Sequence, residues 1–144
     1  MVKDSMFSVD PAFESGSAEL GHLTLSQVRL QLDRRWPWLI LIPRQAGMRE
    51  IEDLSPTDQA QLMTEIVACG PVVRAMGEAM GLAVEKLNIG ALGNVTSQLH
   101  VHIVGRRDGD PAWPGPVWGV GVADPLLEPE RSEISNLIRT AMLI

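Results

Sequence analysis

Gln98-Leu99-His100-Val101-His102-Ile103-Val104 is the stretch whose reading decides the fold and the chemistry of this chain. Polar and apolar side chains alternate along it, and on an extended backbone alternate residues share a face. Gln98, His100 and His102 are therefore predicted to project together from a strand, about 6.5–7 Å apart at successive positions. Leu99, Val101 and Ile103 then face a core. Burying two imidazoles and a carboxamide without partners is costly, so something must meet that face. Three readings are open. The first is a solvated strand face with idle histidines. The second is a metal site, in which two histidines at i, i+2 share one zinc and Asp108, Asp110 or His22 folds back as a further ligand. The third is nucleophilic or acid–base chemistry on a phosphate ester, one imidazole attacking while its neighbours hold anionic oxygens.

The sequence on either side gives this segment a setting. Before it come Gly90, Gly93, Asn94, Val95, Thr96 and Ser97, a loop able to present backbone N–H groups and short polar side chains to a phosphate. That loop favours the third reading. Lys86–Leu92 and Gln98–Arg107 read as two strands joined by it. The tract 109–121 that follows is rich in Gly, Pro and Trp, which excludes a regular helix. Its Trp113 and Trp118 need a surface to cover, either the domain's own core or a dimer partner's site. Upstream, Leu39-Ile40-Leu41-Ile42-Pro43 reads as a central strand buried on both faces. From His22 to Leu32 the spacing of two changes phase near Ser26-Gln27, which predicts a strand, a turn or bulge, and a second strand. Ser55, Pro56 and Asp58 mark a helix start, and Leu62, Ile66, Cys69, Val73, Met76 and Met80 form its apolar stripe. Gly70-Pro71 is predicted to kink or split that helix, and Gly81 to stop it. A last helix opens at Pro129, with Ile134, Leu137, Ile138 and Ala141 on one face. Residues 1–18 read as irregular. The order of elements predicts one α+β domain over residues 1–144, its helices packed on one side of an antiparallel sheet.

Composition bounds the partners. With 45% hydrophobic and 21% charged residues among 144, the chain has the makings of one globular domain and not of a disordered segment. Twelve Lys and Arg against 18 Asp and Glu give a net charge of −6, which argues against nucleic acid as a partner. The single cysteine, Cys69, makes no internal disulfide and reads as a core residue. No secretory signal is visible in the first 20 residues. Nor does any stretch approach the roughly 18 apolar residues that span a bilayer. A cytoplasmic protein without membrane attachment is expected.

Gln98-Leu99-His100-Val101-His102-Ile103-Val104 resembles the signature of the histidine triad (HIT) family, in which three histidines alternate with apolar residues. Leu39 to Arg44 resembles that family's buried strand ending in proline and a basic residue. Glu52-Asp53-Leu54-Ser55 is similar to the start of its long helix, and Asn88 to the asparagine ahead of its glycine loop. The resemblance covers roughly residues 20–118. It implies a HIT-like fold: an antiparallel sheet of about five strands with one long and one C-terminal helix. It further implies His100 as the nucleophile that becomes transiently nucleotidylated and His102 as a ligand of phosphate oxygens. Gln98 takes the first catalytic position. Asn88, Gly93, Asn94, Val95 and Thr96 are implied as phosphate or nucleotide contacts, largely through backbone groups. Gln27, Gln31 and Asp33 lie where ribose contacts are expected. A homodimer, a small nucleotide ligand and no metal or other cofactor complete the implication. The activity implied is hydrolysis or transfer of nucleotidyl groups from nucleoside phosphoramidates or dinucleoside polyphosphates, through a nucleotidyl-histidine. The alternative is a nucleotide-binding module without turnover. Three departures stand out. Gln98 replaces the first histidine; it donates and accepts hydrogen bonds but carries no proton charge. Trp36-Pro37-Trp38 stands where the family has a further upstream histidine, and Arg44 replaces the usual lysine.

Overall fold

Strand β3 (Trp38–Pro43) is buried at every residue, because both of its faces are covered. It lies at the centre of a sheet ordered β1-β2-β3-β5-β4 in the computed structural model, which describes residues 6–144. The other strands are β1 (Ser17–His22), β2 (Ser26–Gln31), β4 (Lys86–Gly90) and β5 (Val101–Arg106). All neighbouring pairs are antiparallel. Helix α1 (Pro56–Met80) crosses from β3 to β4, and α2 (Glu130–Met142) ends the chain. Sheet and helices form the α+β arrangement expected from the order of elements.

Alternation along the strands divides the interior in two. One face carries Val28, Leu30, Leu39, Leu41, Val101 and Ile103 against the α1 stripe, including Leu62, Cys69, Val73 and Met76, and against Ile134 and Ile138 of α2. The other face carries Trp38, Ile40, Ile42 and Val104, covered by Phe13 and Val117 instead of by a helix. Cys69 is fully buried, and that burial, assisted by the charge of Glu65, pushes its thiol pKa up to about 12. It is a core residue, as expected.

Three expectations need correction. Within the segment expected to be irregular, residues 1–5 lie outside the described part, but Pro11–Ser15 form a 3₁₀ turn and β1 begins at Ser17. Asp10 caps the turn by accepting from the Ala12 amide at 2.9 Å. One turn shows no periodicity, and the small residues Ser17, Ala18 and Gly21 blur the alternation of β1. Second, the register shift lies within β1, between Glu19 and Gly21, while the phase change at Ser26 marks the hairpin into β2. Third, α1 is not split at Gly70-Pro71 but runs unbroken through Pro71. Pro71 and Val67 are both exposed, so the Val67 carbonyl, stripped of its usual N–H partner, is free to bond water.

The loop 109–121 is tied down by a charge that the sequence pattern does not reveal. Arg106, fully buried, grips Asp110 through two bonds of 2.8 and 3.0 Å and donates to Gly115 O at 2.8 Å. Trp113 lies over this guanidinium, and Trp118 packs against Trp38, so both tryptophans meet surfaces of their own chain. Among the described residues, no helix is long and apolar enough to cross a membrane.

A second buried charge holds the opposite corner. The Glu65 carboxylate, on α1, accepts from the Leu25 and Ser26 amides at 2.7 and 3.0 Å and so pins the β1–β2 hairpin to the helix. Glu65→Ala strands two buried donors and is expected to cost roughly 2–4 kcal/mol in urea denaturation at unchanged slope. A loss below about 0.5 kcal/mol, within the range of ordinary surface substitutions, would show that the hairpin holds without it.

Candidate functional site

His102 sits in β5 opposite Ile40 of β3 and Gly90 of β4. Its ring meets those of Trp38 and Trp118, on the face turned away from the helices. His100 precedes the strand by one residue. Their rings are 4.8 Å apart and nearly perpendicular, at 77°. The two residues are 7% and 9% exposed, so the pair is lodged in the wall of the sheet and not displayed on it.

The strand expected over Gln98–Arg107 starts only at Val101, so Gln98 and His100 both precede it. The Leu99 amide donates to Met48 O at 3.0 Å, so the chain there leans on the β3–α1 connection instead of on β4. Gly93, at φ 68°, turns the loop in a left-handed conformation that glycine adopts without strain. The side chain of Gln98 is engaged at both ends: Nε2 donates to Ser8 O and Oε1 accepts from the Asp10 amide, each at 2.8 Å.

Hydrogen bonds fix the proton positions on both imidazoles. Nδ1 of His100 lies 2.6 Å from Gln98 O. A carbonyl only accepts, so Nδ1 carries the hydrogen and Nε2 of the neutral ring carries the lone pair. For His102 the polarity is reversed. Trp38 Nε1–H donates to Nδ1 at 3.0 Å, which leaves the hydrogen on Nε2. Burial, with a smaller contribution from the charge on His100, pushes the His102 pKa down to about 3, so this ring is neutral at any physiological pH. The edge of Phe13 packs on His100 with ring centres 4.8 Å apart.

A cavity of about 390 Å³ opens beside His100, lined also by Gly93, Gln98, Arg49, Glu52 and Gln59. A second, of about 430 Å³, shares Arg49 and Gln98 with it and runs under Ser8–Pro11. The expected contacts thus divide. Gly93 reaches the His100 cavity, whereas Asn94, Val95 and Thr96 form the bend beyond it and do not line it. Asn88, on β4, spends its Oδ1 on Arg106 at 2.7 Å. Two of the residues expected near a ribose have partners within the chain. Asp33 is taken by Arg35 at 2.8–3.2 Å, and Gln27 Oε1 accepts from the buried Arg29 at 2.8 Å. Among the described residues, no group of three His, Cys, Asp or Glu is placed to hold a metal; Asp110 is committed to Arg106.

Trp38 and Phe13 are the site residues that sequence reasoning missed. A signal for Trp38 existed: a buried indole N–H requires an acceptor, and position 38 is diagonal to 102 once the β3–β5 register is known. For Phe13 there was none.

Comparison with known proteins shows the family of the chain. The HIT domain family model matches residues 13–109. A histidine triad protein from Sinorhizobium meliloti is 46% identical, with a TM-score of 0.84 over 95% of this chain and 98% of that one. One from Bradyrhizobium japonicum is 39% identical, with a TM-score of 0.87 over 94% and 98%. A third, from Marinobacter aquaeolei, is 37% identical, with a TM-score of 0.85 over 96% and 97%. No curated protein matches the chain. With a family model covering residues 13–109 and relatives of this identity aligned over nearly their whole length, the chain belongs to the HIT domain family.

Proposed function

We propose that this HIT protein is a nucleotide hydrolase or transferase that uses His100 as its nucleophile on nucleoside phosphoramidates or dinucleoside polyphosphates. One observation carries the reading: the Nδ1–H of His100 is tied to Gln98 O, leaving a lone pair on Nε2 of a ring that lines a cavity. In the first step Nε2 forms a bond to phosphorus while the bond to the leaving group breaks, and the leaving group keeps the electron pair and takes up a proton from solvent. In the second, water attacks the phosphorus, loses its proton to solvent, releases the nucleoside monophosphate and returns the electron pair to Nε2. Two moderate barriers replace one high one.

The neighbours supply fixed donors. Nε2–H of His102 serves the non-bridging oxygens as a neutral hydrogen-bond donor. With its oxygen held by Arg106, Asn88 offers an anion only its amide N–H. The Gly93 turn adds backbone N–H groups, and Asn94, Val95 and Thr96 join when the loop folds toward His100. Gln98 contributes no proton, because its amide does not titrate and both ends are engaged. That same residue motivates the second reading, a nucleotide-binding module without turnover. A small nucleotide in a cytoplasmic setting, with neither nucleic acid nor membrane as partner, fits the net charge of −6. The homodimer belongs to the same proposal: β4 is an edge strand whose outer side is unpaired by any described strand, and Ile89 on it is 50% exposed.

His100→Ala is expected to lower kcat on an adenosine phosphoramidate or a dinucleoside polyphosphate by on the order of 10³-fold or more, with the circular dichroism of the fold unchanged. If wild type binds AMP in calorimetry yet turns over neither substrate class, the module reading replaces the enzyme. Sedimentation should give twice the chain mass, and Ile89→Lys should shift it toward monomer; a monomeric wild type removes the dimer.

His102 also makes stability depend on pH. Its folded pKa of about 3 lies below the ordinary 6.5, so between those values the unfolded chain binds more protons and stability rises with pH. The contribution is complete above about pH 6.5 and is lost as pH falls toward 3. Between pH 7 and pH 4, wild type should lose roughly 2–4 kcal/mol more than His102→Gln in urea titrations. Equal losses would mean that the ring is not held neutral.

A further inference from the structure

We infer that Gln98 is a positioning residue: its side chain latches the N-terminal strap, residues 7–15, over His100, and so sets how far the nucleophile is covered. The reading of His100 as nucleophile gives the latch its purpose, but the latch stands on separate observations.

The first is the pairing itself. The Gln98 carboxamide donates to Ser8 O and accepts from the Asp10 amide, both at 2.8 Å, on either side of Val9 and about 90 positions away in sequence. It pairs with the strap much as a neighbouring strand would, presenting its acceptor and donor side by side. The nitrogens of an imidazole diverge and cannot fill both places at once. The second observation is what the pairing holds. Asp10, positioned by Gln98, caps the turn at Pro11–Ser15 through the Ala12 amide, and the Phe13 amide donates to Asp10 O at 3.1 Å. That turn sets the buried Phe13 edge-on against His100, at 4.8 Å. The third is where Gln98 stands. It lines both the cavity beside His100 and the cavity beneath the strap, so it forms part of the boundary between them. Its main-chain oxygen meanwhile fixes the proton on His100. One residue thus sets both the tautomer of the nucleophile, through its backbone, and its cover, through its side chain. A histidine at position 98 would keep the first role and lose the second.

Two measurements on the full chain test this without any nucleotide, so their failure is distinct from failure of the proposed activity. In Gln98→Ala, hydrogen exchange at the Ala12 and Phe13 amides should quicken tenfold or more, while the β5 amides of Val101–Arg106 keep their wild-type rates. Reaction of His100 with diethyl pyrocarbonate, read by peptide mass spectrometry, should quicken several-fold. Gln98→Glu supplies a rescue that a merely space-filling role would not show. Its neutral carboxyl can donate to Ser8 O and accept from the Asp10 amide, but its carboxylate can only accept. The exchange ratio of Gln98→Glu to wild type, taken at one pH so that intrinsic rates cancel, should fall toward one as pH drops through the carboxyl range near about 4.3. Unchanged exchange at Ala12 and Phe13 in Gln98→Ala, unchanged His100 reactivity, or a Gln98→Glu ratio that ignores pH would each overturn the latch.

Discussion

The hydrogen bond from His100 Nδ1 to the main-chain oxygen of Gln98 is the contact on which the site depends. Exchange the tautomer and the lone pair points into the peptide backbone instead of the cavity. The bond requires the chain at 98–100 to leave strand geometry, since a carbonyl in a regular strand is spent on its neighbour or directed along the sheet. It leaves that geometry because Leu99 pairs with Met48 and because Gly93 turns the loop where a side chain would be strained. The extended alternation that made this segment conspicuous in sequence is broken at the residue that matters for its chemistry.

Around this contact, the sheet face carrying the histidines is built differently from the face carrying the helices. Apolar burial against α1 and α2 needs little beyond spacing, and there the stripe from Leu62 to Met80 suffices. The opposite face is closed by two short pieces of chain, the Phe13 turn and the Val117–Trp118 segment, neither long enough to bury much on its own. Each is therefore fastened by polar bonds: the turn by Gln98 and Asp10, the loop by Arg106 with Asp110 and Gly115. A buried guanidinium is tolerated there because its donors to Asp110, Asn88 and Gly115 are satisfied.

This division explains what could be read from sequence. Strand β3, the α1 stripe with its Ser55 cap and Gly81 stop, and the proximity of His100 and His102 all follow from spacing and local chemistry, and all stand in the fold. What failed depends on contacts remote in sequence. The strap was read as irregular because its order comes from a residue about 90 positions away. The continuity of α1 through Pro71 was hidden for another reason: sequence shows the missing N–H but not that the exposed carbonyl behind it can turn to water.

Gln98 and Trp38, the side chains that fix the surroundings of the two histidines, share a physical character. At position 98 stands a carboxamide and at position 38 an indole, and neither changes charge with pH. An indole N–H only donates, so Trp38 permits one tautomer of His102, whereas an imidazole there would permit either. A carboxamide both donates and accepts, so Gln98 can span two backbone groups, which a titrating ring could not do in all its states. Each gives the site a fixed hydrogen-bond polarity where an imidazole would bring a movable proton. With His102 held neutral down to about pH 3, this side of the cleft is pre-set in one arrangement of donors and acceptors around His100. The reorganisation that the surroundings of His100 would otherwise undergo beside a developing charge is to that extent completed by folding itself.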